Sequence, residues 1–356
     1  MEEPLKGYDP DGVANTNNNI FGLPFGTDSA RLVIIPVPWD VTTSRQAGTA
    51  QAPQAVFDES FQIDLFDPLA PDAWREGMAM EAVAREDITL NKHLREKASV
   101  YIRFLETGGR AGESPDMDGI AREVNQAGEA LAERLKQKCL AYLDRGQIPF
   151  VLGGEHSVPL GLLRALAERE PGMGILQIDA HADLRLSYQG FSHSHASIMR
   201  NALELKGLDR LVQVGLRELC PEEMQVIREH PRRIRAFFDQ ELQARLFQGE
   251  PWERICRDIV RELPPKVYVS FDLDGLDPAH CPGTGTPVPG GLSYNQALYL
   301  LETLVRQGRQ IIGADLVEAG TGPVDTSTAC RLLYRMAGMM IHSAGKKGTS
   351  TSDDNP

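Results

Sequence analysis

The sequence predicts an α/β protein with a mostly parallel sheet covered by helices. Short apolar runs alternate with longer helical patterns along the 356 residues, the order a parallel sheet needs because each strand returns to the same edge through a crossover. Several runs are apolar at consecutive positions, as expected of strands buried on both faces. Polar clusters follow some of them directly, and functional loops of such sheets gather at the carboxyl ends of the strands.

Residues 1–30 are rich in Asn, Gly, Asp and Pro without a sustained period. They read as an irregular arm over the surface, with Phe21 and Phe25 tucked in. LVIIPVP at 32–38 is the first strand. Over 120–144, Ile120, Val124, Ala127, Leu131 and Leu135 recur at three- and four-residue spacing, the one-faced pattern of a helix. The strand IPFVL at 148–152 precedes a helix over 158–169, and GILQI at 174–178 precedes one over 195–206. LVQVG at 211–215 leads to 221–229, and RAFF at 235–238 to 251–262. KVYVSFDL at 266–273 leads to 294–307, and QIIGADL at 310–316 to 326–342. From Ala344 the chain is polar and small (AGKKGTSTSDDNP), so 344–356 reads as a disordered tail. No composition shift divides the remainder, which predicts a single domain over 31–343.

With 50 acidic and 37 basic side chains the net charge is -13. That balance argues against a nucleic-acid binder, which needs a basic stripe for phosphates, and against attachment to anionic lipid. No run approaches the roughly 18 apolar residues of a membrane span. The opening MEEPLKGYDPDG has neither a basic start nor an apolar stretch, so no secretory signal is expected. Cys139, Cys220, Cys256, Cys281 and Cys330 lie far apart with no C-x-x-C pair. A reducing, cytoplasmic setting follows.

Three polar clusters carry the chemistry. Gly153-Gly154-Glu155-His156-Ser157 follows IPFVL, Asp179-Ala180-His181-Ala182-Asp183 follows GILQI, and Asp272-Leu273-Asp274 closes KVYVS-Phe271. Singly, each has an ordinary explanation, since histidines follow structural turns and aspartates cap helices. Jointly they bring two imidazoles and four carboxylates to one sheet edge, and burying that much acid without cations would be prohibitive. Residues i and i+2 share a strand face, so D-x-H-x-D and D-x-D can converge. Carboxylate and imidazole without thiolate suit Mn, Fe, Co, Ni or Zn. Six donors exceed one open catalytic ion and suit two ions with shared carboxylates.

The motifs G-G-E-H-S, D-A-H-A-D and S-F-D-L-D-G-L-D-P-x-x-x-P-G-T-G-T-P together resemble the ureohydrolase superfamily, which includes arginase and agmatinase, over about Leu32 to Met340. The agmatinase-like branch is the nearest motif form. The resemblance implies a three-layer α/β/α domain around an eight-stranded parallel sheet. It implies that His156, Asp179, Asp183 and Asp272 hold one ion, and that His181, Asp179, Asp272 and Asp274 hold the other, with Asp179 and Asp272 bridging. Mn is the expected metal and Ni the alternative.

Such an ion pair lowers the pKa of a shared water and presents hydroxide to a guanidinium carbon, releasing urea and an amine. His195, in S-H-A-S, matches the proton-shuttling position, and His193 reads as a helix-capping neighbour. Glu318 matches the carboxylate that holds the guanidinium by paired hydrogen bonds. Asp277, in the following D-P turn, is counted with the catalytic set as a residue supporting the ligands from behind or shaping the turn, and not as a ligand. Arg185 is a candidate contact for a substrate carboxylate, with a structural salt bridge as the competing reading.

Departures bear on the substrate. No acid between Asp183 and His195 stands ready for a distal ammonium, and no arginase-like α-amino-acid motif is present. The reading is therefore an agmatinase-like hydrolase, with guanidine, guanidinobutyrate or a substituted guanidine or biguanide as alternatives. A non-catalytic subunit of a mixed oligomer is a second hypothesis. A metal deacetylase or phosphatase is disfavoured by the full six-donor set, and a dinucleotide enzyme by the lack of G-x-G-x-x-G after a strand. By resemblance a homo-oligomer, trimer or hexamer, is expected.

Overall fold

The computed structural model describes residues 4–345. Eight strands form one sheet: β1 (Leu32–Val37), β2 (Met78–Met80), β3 (Ile148–Gly153), β4 (Met173–Ile178), β5 (Leu208–Leu216), β6 (Ile234–Phe238), β7 (Lys266–Asp272) and β8 (Gln310–Val317). The spatial order is β2-β1-β3-β8-β7-β4-β5-β6, and every pairing is parallel. The strands β1, β3 and β4 are buried at every position, which explains their unbroken apolar runs.

Among the described residues the helices are α1 (Ala52–Glu59), α2 (Arg85–Glu106), α3 (Pro115–Asp144), α4 (Leu160–Arg169), α5 (Ile198–Leu203), α6 (Pro221–Glu229), α7 (Asp239–Phe247), α8 (Trp252–Arg261), α9 (Tyr294–Arg306) and α10 (Pro323–Gly345). One series of neighbours runs α2, α3, α4, α5, and another runs α1, α10, α9, α8. With the sheet between them they give the expected three-layer α/β/α architecture.

Four elements lie outside the sequence reading. Strand β2 has three residues, too few for a period. Helix α2 is polar around most of its circumference and buries only Asn91, Leu94, Ala98, Tyr101 and Ile102. Helices α1 and α7 have eight and nine residues. The predicted helix over 195–206 divides into a 3-10 turn at His195–Ser197 and α5, because the Ser194 hydroxyl accepts from Ala196 N and starts a separate turn. In the N-terminal segment, Phe21 and Phe25 are buried, and Phe21 meets Tyr334 of α10 edge-on at 5.0 Å. Helix α10 carries regular structure through Ala344 and Gly345. The rest of the predicted tail lies outside the described residues.

Two glycines let the carboxyl edge close up. A Cβ on Gly154 would collide with the Trp39 carbonyl, and one on Gly275 would come 2.7 Å from Asp179 N. Backbones following four strands, β1 against β3 and β4 against β7, meet there in pairs at distances only glycine permits.

Candidate metal centre

Sheet register assembles the centre. Strands β4 and β7 are adjacent, with Ile178 opposite Phe271, so Asp179 and Asp272 leave the sheet side by side. Asp272 caps the next turn, its Oδ1 accepting Asp274 N at 2.8 Å, and Asp274 Oδ1 in turn accepts Ala180 N at 3.1 Å. His156 follows β3, and Glu318 follows the neighbouring β8. Asp183 and Glu318 both have left-handed backbones, φ 55° and 58°, strain that concentrates where function over-determines geometry.

His156 Nδ1 lies 3.0 Å from Asp179 Oδ2, 2.9 Å from Asp183 Oδ2 and 3.3 Å from Asp272 Oδ2. His181 Nδ1 lies 3.0 Å from Asp274 Oδ2 and 3.6 Å from Asp179 Oδ1. Two donor groups result: His156, Asp179 and Asp272, and Asp179, His181 and Asp274. Asp179 belongs to both.

The arrangement fits divalent cations. His156 Nδ1 is buried without a satisfied hydrogen bond, although three carboxylate oxygens surround it; one N–H cannot serve three acceptors. Its other nitrogen, Nε2, sits 2.8 Å from Ser270 Oγ. Ser270 donates to Asp315 Oδ1 at 3.2 Å, and Tyr268 OH donates to Asp315 Oδ2 at 2.6 Å. This chain sets the proton on Nε2 and leaves the Nδ1 lone pair available to a cation. Gln177 Nε2 likewise steadies Asp179 Oδ2 at 2.7 Å, and Gln213 Nε2 holds Gln177 Oε1 at 2.7 Å.

The electrostatics without cations show the same frustration. Burial alone would lower the His181 imidazole, yet Asp274 and Asp179 hold it up to about 12. Burial likewise opposes His156, which Asp179, Asp183 and Asp272 raise well above its usual value. Burial and then the Asp179 charge push Asp183 up to about 7, and burial with Asp274 and Asp179 raises Asp272 far above the carboxylate range. Burial also works against ionised Asp179, but His156 and His181 hold its pKa low. Four buried carboxylates and two imidazoles in mutual contact form a set whose charge divalent cations would balance.

The centre opens into a cavity of about 410 Å³, lined by His156, His181, Asp183, His195, Glu318 and Arg185 among others. The structure thus brings together the predicted metal donors, His195, Glu318 and Arg185. It does not bring in Asp277, a correction to the expected site. That carboxylate turns back onto Ala279 N at 2.9 Å, closing an Asx turn, and does not line the cavity. His193 also points elsewhere, to Glu129 Oε2 at 2.8 Å.

Glu318 accepts His156 N through Oε1 at 2.9 Å, while Oε2 is buried without a partner among the described residues. Burial and then the Glu155 charge raise its pKa well above the normal range. His195 is pushed down to about 3 by burial and then by His181 and His156. Its Nδ1 lies 3.4 Å from Thr42 Oγ1, and that hydroxyl donates to buried Glu155 Oε1 at 2.9 Å. Sequence reasoning missed Thr42, Glu155, Gln177, Gln213, Ser270 and Asp315. A usable signal existed for three of them, because Gln177, Gln213 and Asp315 each interrupt a buried apolar stretch of a strand.

Fold and donor set together define a metal-dependent hydrolase of the α/β/α class. Within that class the chain belongs to the arginase family: residues 30–338 match the Arginase family pattern. It is 31% identical over 324 residues to an N(1)-aminopropylagmatine ureohydrolase of Synechocystis sp., covering 89% of this chain and 92% of that one. A guanidinobutyrase of Pseudomonas aeruginosa is 29% identical over 327 residues, covering 88% and 87%. The solved agmatine ureohydrolase of Thermoplasma volcanium has the same fold, with a TM-score of 0.68 and 24% identity over 97% of this chain and 99% of that one. The resemblance to the ureohydrolases and the eight-stranded parallel fold are both borne out. The chain is a ureohydrolase of the agmatinase-like branch, acting on guanidino C–N bonds, in a family that uses a binuclear divalent metal site. No helix among the described residues is long and apolar enough to cross a membrane.

Proposed function

We propose that the cavity hydrolyses a small guanidino compound to urea and an amine. His156, Asp179, Asp183 and Asp272 hold one divalent cation, and His181, Asp179, Asp272 and Asp274 hold the second. Bound there, the pair supplies Lewis acidity and brings the pKa of water toward neutrality. Mn is the metal we assign, with Ni the alternative, because hard oxygen and imidazole donors without thiolate suit both.

The chain's own residues bind the substrate and move the proton. Glu318 fixes its Oε1 on the main chain and offers Oε2 to a guanidinium N–H, where a charged acceptor forms a strong bond. His195, kept neutral by burial and tied through Nδ1 to Thr42, has Nε2 without a hydrogen bond among the described residues. Because Thr42 gives its one hydroxyl hydrogen to Glu155, the imidazole hydrogen stays on Nδ1, and Nε2 accepts a proton as the nucleophile adds and passes it to the leaving amine. We place the protein in the cytoplasm, consistent with five unpaired cysteines, as a homo-oligomer, trimer or hexamer, with a mixed oligomer as the alternative assembly.

The unsatisfied Nδ1 of His156 among three carboxylates carries this reading. Urea release from a panel of guanidines, with Mn- or Ni-loaded protein, tests it. Turnover in the wild type and a loss of roughly 10³-fold or more in a folded Asp272→Ala variant are expected. Failure of every substrate with both metals contradicts it.

A further inference from the structure

We propose that the substrates are ω-guanidino carboxylates, whose distal carboxylate is gripped by Arg185; this rests on the guanidino-hydrolase reading above and specifies its substrate class.

Arg185 is held from two sides. Its Nε lies 3.7 Å from Glu223 Oε2, and its guanidinium stacks 4.8 Å from the Tyr188 ring centroid. Glu223 is itself fixed, accepting Leu184 N at 3.0 Å and Cys220 N at 2.9 Å where α6 begins. The side chain is 33% exposed and lines the cavity, yet its two terminal nitrogens make no hydrogen bond among the described residues. A preorganised fork with both outer N–H groups free matches a carboxylate bidentately. Arg45 lines the mouth of the same cavity, is exposed, and has no ion pair or hydrogen bond among the described residues. It adds a second cation in reach of the distal group.

The wall is poorly suited to a distal ammonium. Its two acids are Glu218 and Glu223. Glu223 is committed to two main-chain N–H groups and Arg185. Glu218 is 67% exposed, with Oε2 3.7 Å from His181 Nε2, so water screens most of its pull. Deeper in, four aspartates offset two divalent cations, and Glu318 offsets the guanidinium. The distal charge is therefore selected by the arginines. In the reaction, water adds to the guanidinium carbon and the bond from that carbon to the alkyl nitrogen breaks. That nitrogen leaves as an ammonium, so an ω-guanidino carboxylate and water give an ω-amino carboxylate and urea.

The test compares kcat and KM of the Mn-loaded protein on 4-guanidinobutyrate, 3-guanidinopropionate, agmatine and uncharged butylguanidine. We expect the carboxylates to exceed agmatine in kcat/KM. Arg185→Gln should lower kcat/KM about 100-fold on its best carboxylate, mainly through KM, and leave butylguanidine within about three-fold. Arg185→Lys should recover only part of the loss, because an ammonium lacks the fork, and the exposed Arg45→Gln should give a smaller loss of the same kind. Agmatine as the better substrate, or an equal loss on all four compounds, overturns the proposal. Turnover of butylguanidine in that case keeps the hydrolase reading intact, whereas no urea from any of the four overturns both.

Discussion

Glu318 anchors one carboxylate oxygen on the main-chain N–H of His156, at 2.9 Å, and leaves the other buried without a partner. The residue we propose to meet the substrate is thereby locked to a proposed metal donor. Glu318→Gln keeps an oxygen for the His156 N–H but removes the charge. We expect kcat/KM to fall roughly 10²-fold or more. The buried acid is raised above its unfolded value, so its ionisation destabilises the fold as pH rises past the normal carboxylate range. Metal-free Glu318→Gln should then melt at least about 2 °C higher than the metal-free wild type at pH 8. Calorimetry of the two metal-free proteins checks this, and an unchanged or lower midpoint would count against it.

Metal binding should release protons. Without cations, His181 is held up to about 12 and His156 well above its usual value, so both are protonated at neutral pH and must lose those protons to become donors. Asp272, raised far above the carboxylate range, must give up a proton as well, and Asp183, near 7, a fraction of one, so about three protons per subunit should appear between pH 6 and 8, with apparent affinity falling up to about 1,000-fold per unit of acidification. Titration calorimetry in buffers of different ionisation heat measures the number directly.

His195 gives a pH signature in the metal-free fold. Its imidazole is pushed down to about 3, against about 6.5 when unfolded. Below pH 6.5 the unfolded chain takes up a proton that the folded one refuses, so stability falls as pH falls, by up to about 1.4 kcal/mol per unit. His195→Gln lacks this cost and should lose less stability between pH 7 and 5. Denaturant titrations at the two pH values compare them; equal slopes would mean that His195 is protonated in the fold.

Cys220 should be the one reactive thiol. Burial pushes Cys139, Cys256 and Cys330 up to about 12 and Cys281 higher still, while Cys220 is half-buried and lines the cavity. A thiol reagent should modify Cys220 first, and a guanidino ligand should slow it. Peptide mapping after brief alkylation reads the site.

Much of this was legible in the sequence, and the physical reason is placement. Seven strands stood out because burial on both faces leaves apolar runs, and the six donors stood out because they follow those runs directly. Strand β2 was invisible because three residues carry no period, and α2 because its buried stripe is one residue wide among charges. Asp277 was drawn into the site by sequence proximity, but the chain turns at Pro278 and its carboxylate closes on Ala279 N instead. The Ser270–Asp315 and Thr42–Glu155 contacts, each joining residues from different elements, exist only once the strands are laid side by side.

The central claim is that two cations share Asp179. Anomalous diffraction from Mn-loaded crystals tests it most directly. Two peaks about 3.5–4 Å apart, one against His156 Nδ1 and the other against His181 Nδ1 with Asp179 between them, are predicted. A single peak, or none within reach of these donors, would contradict the account.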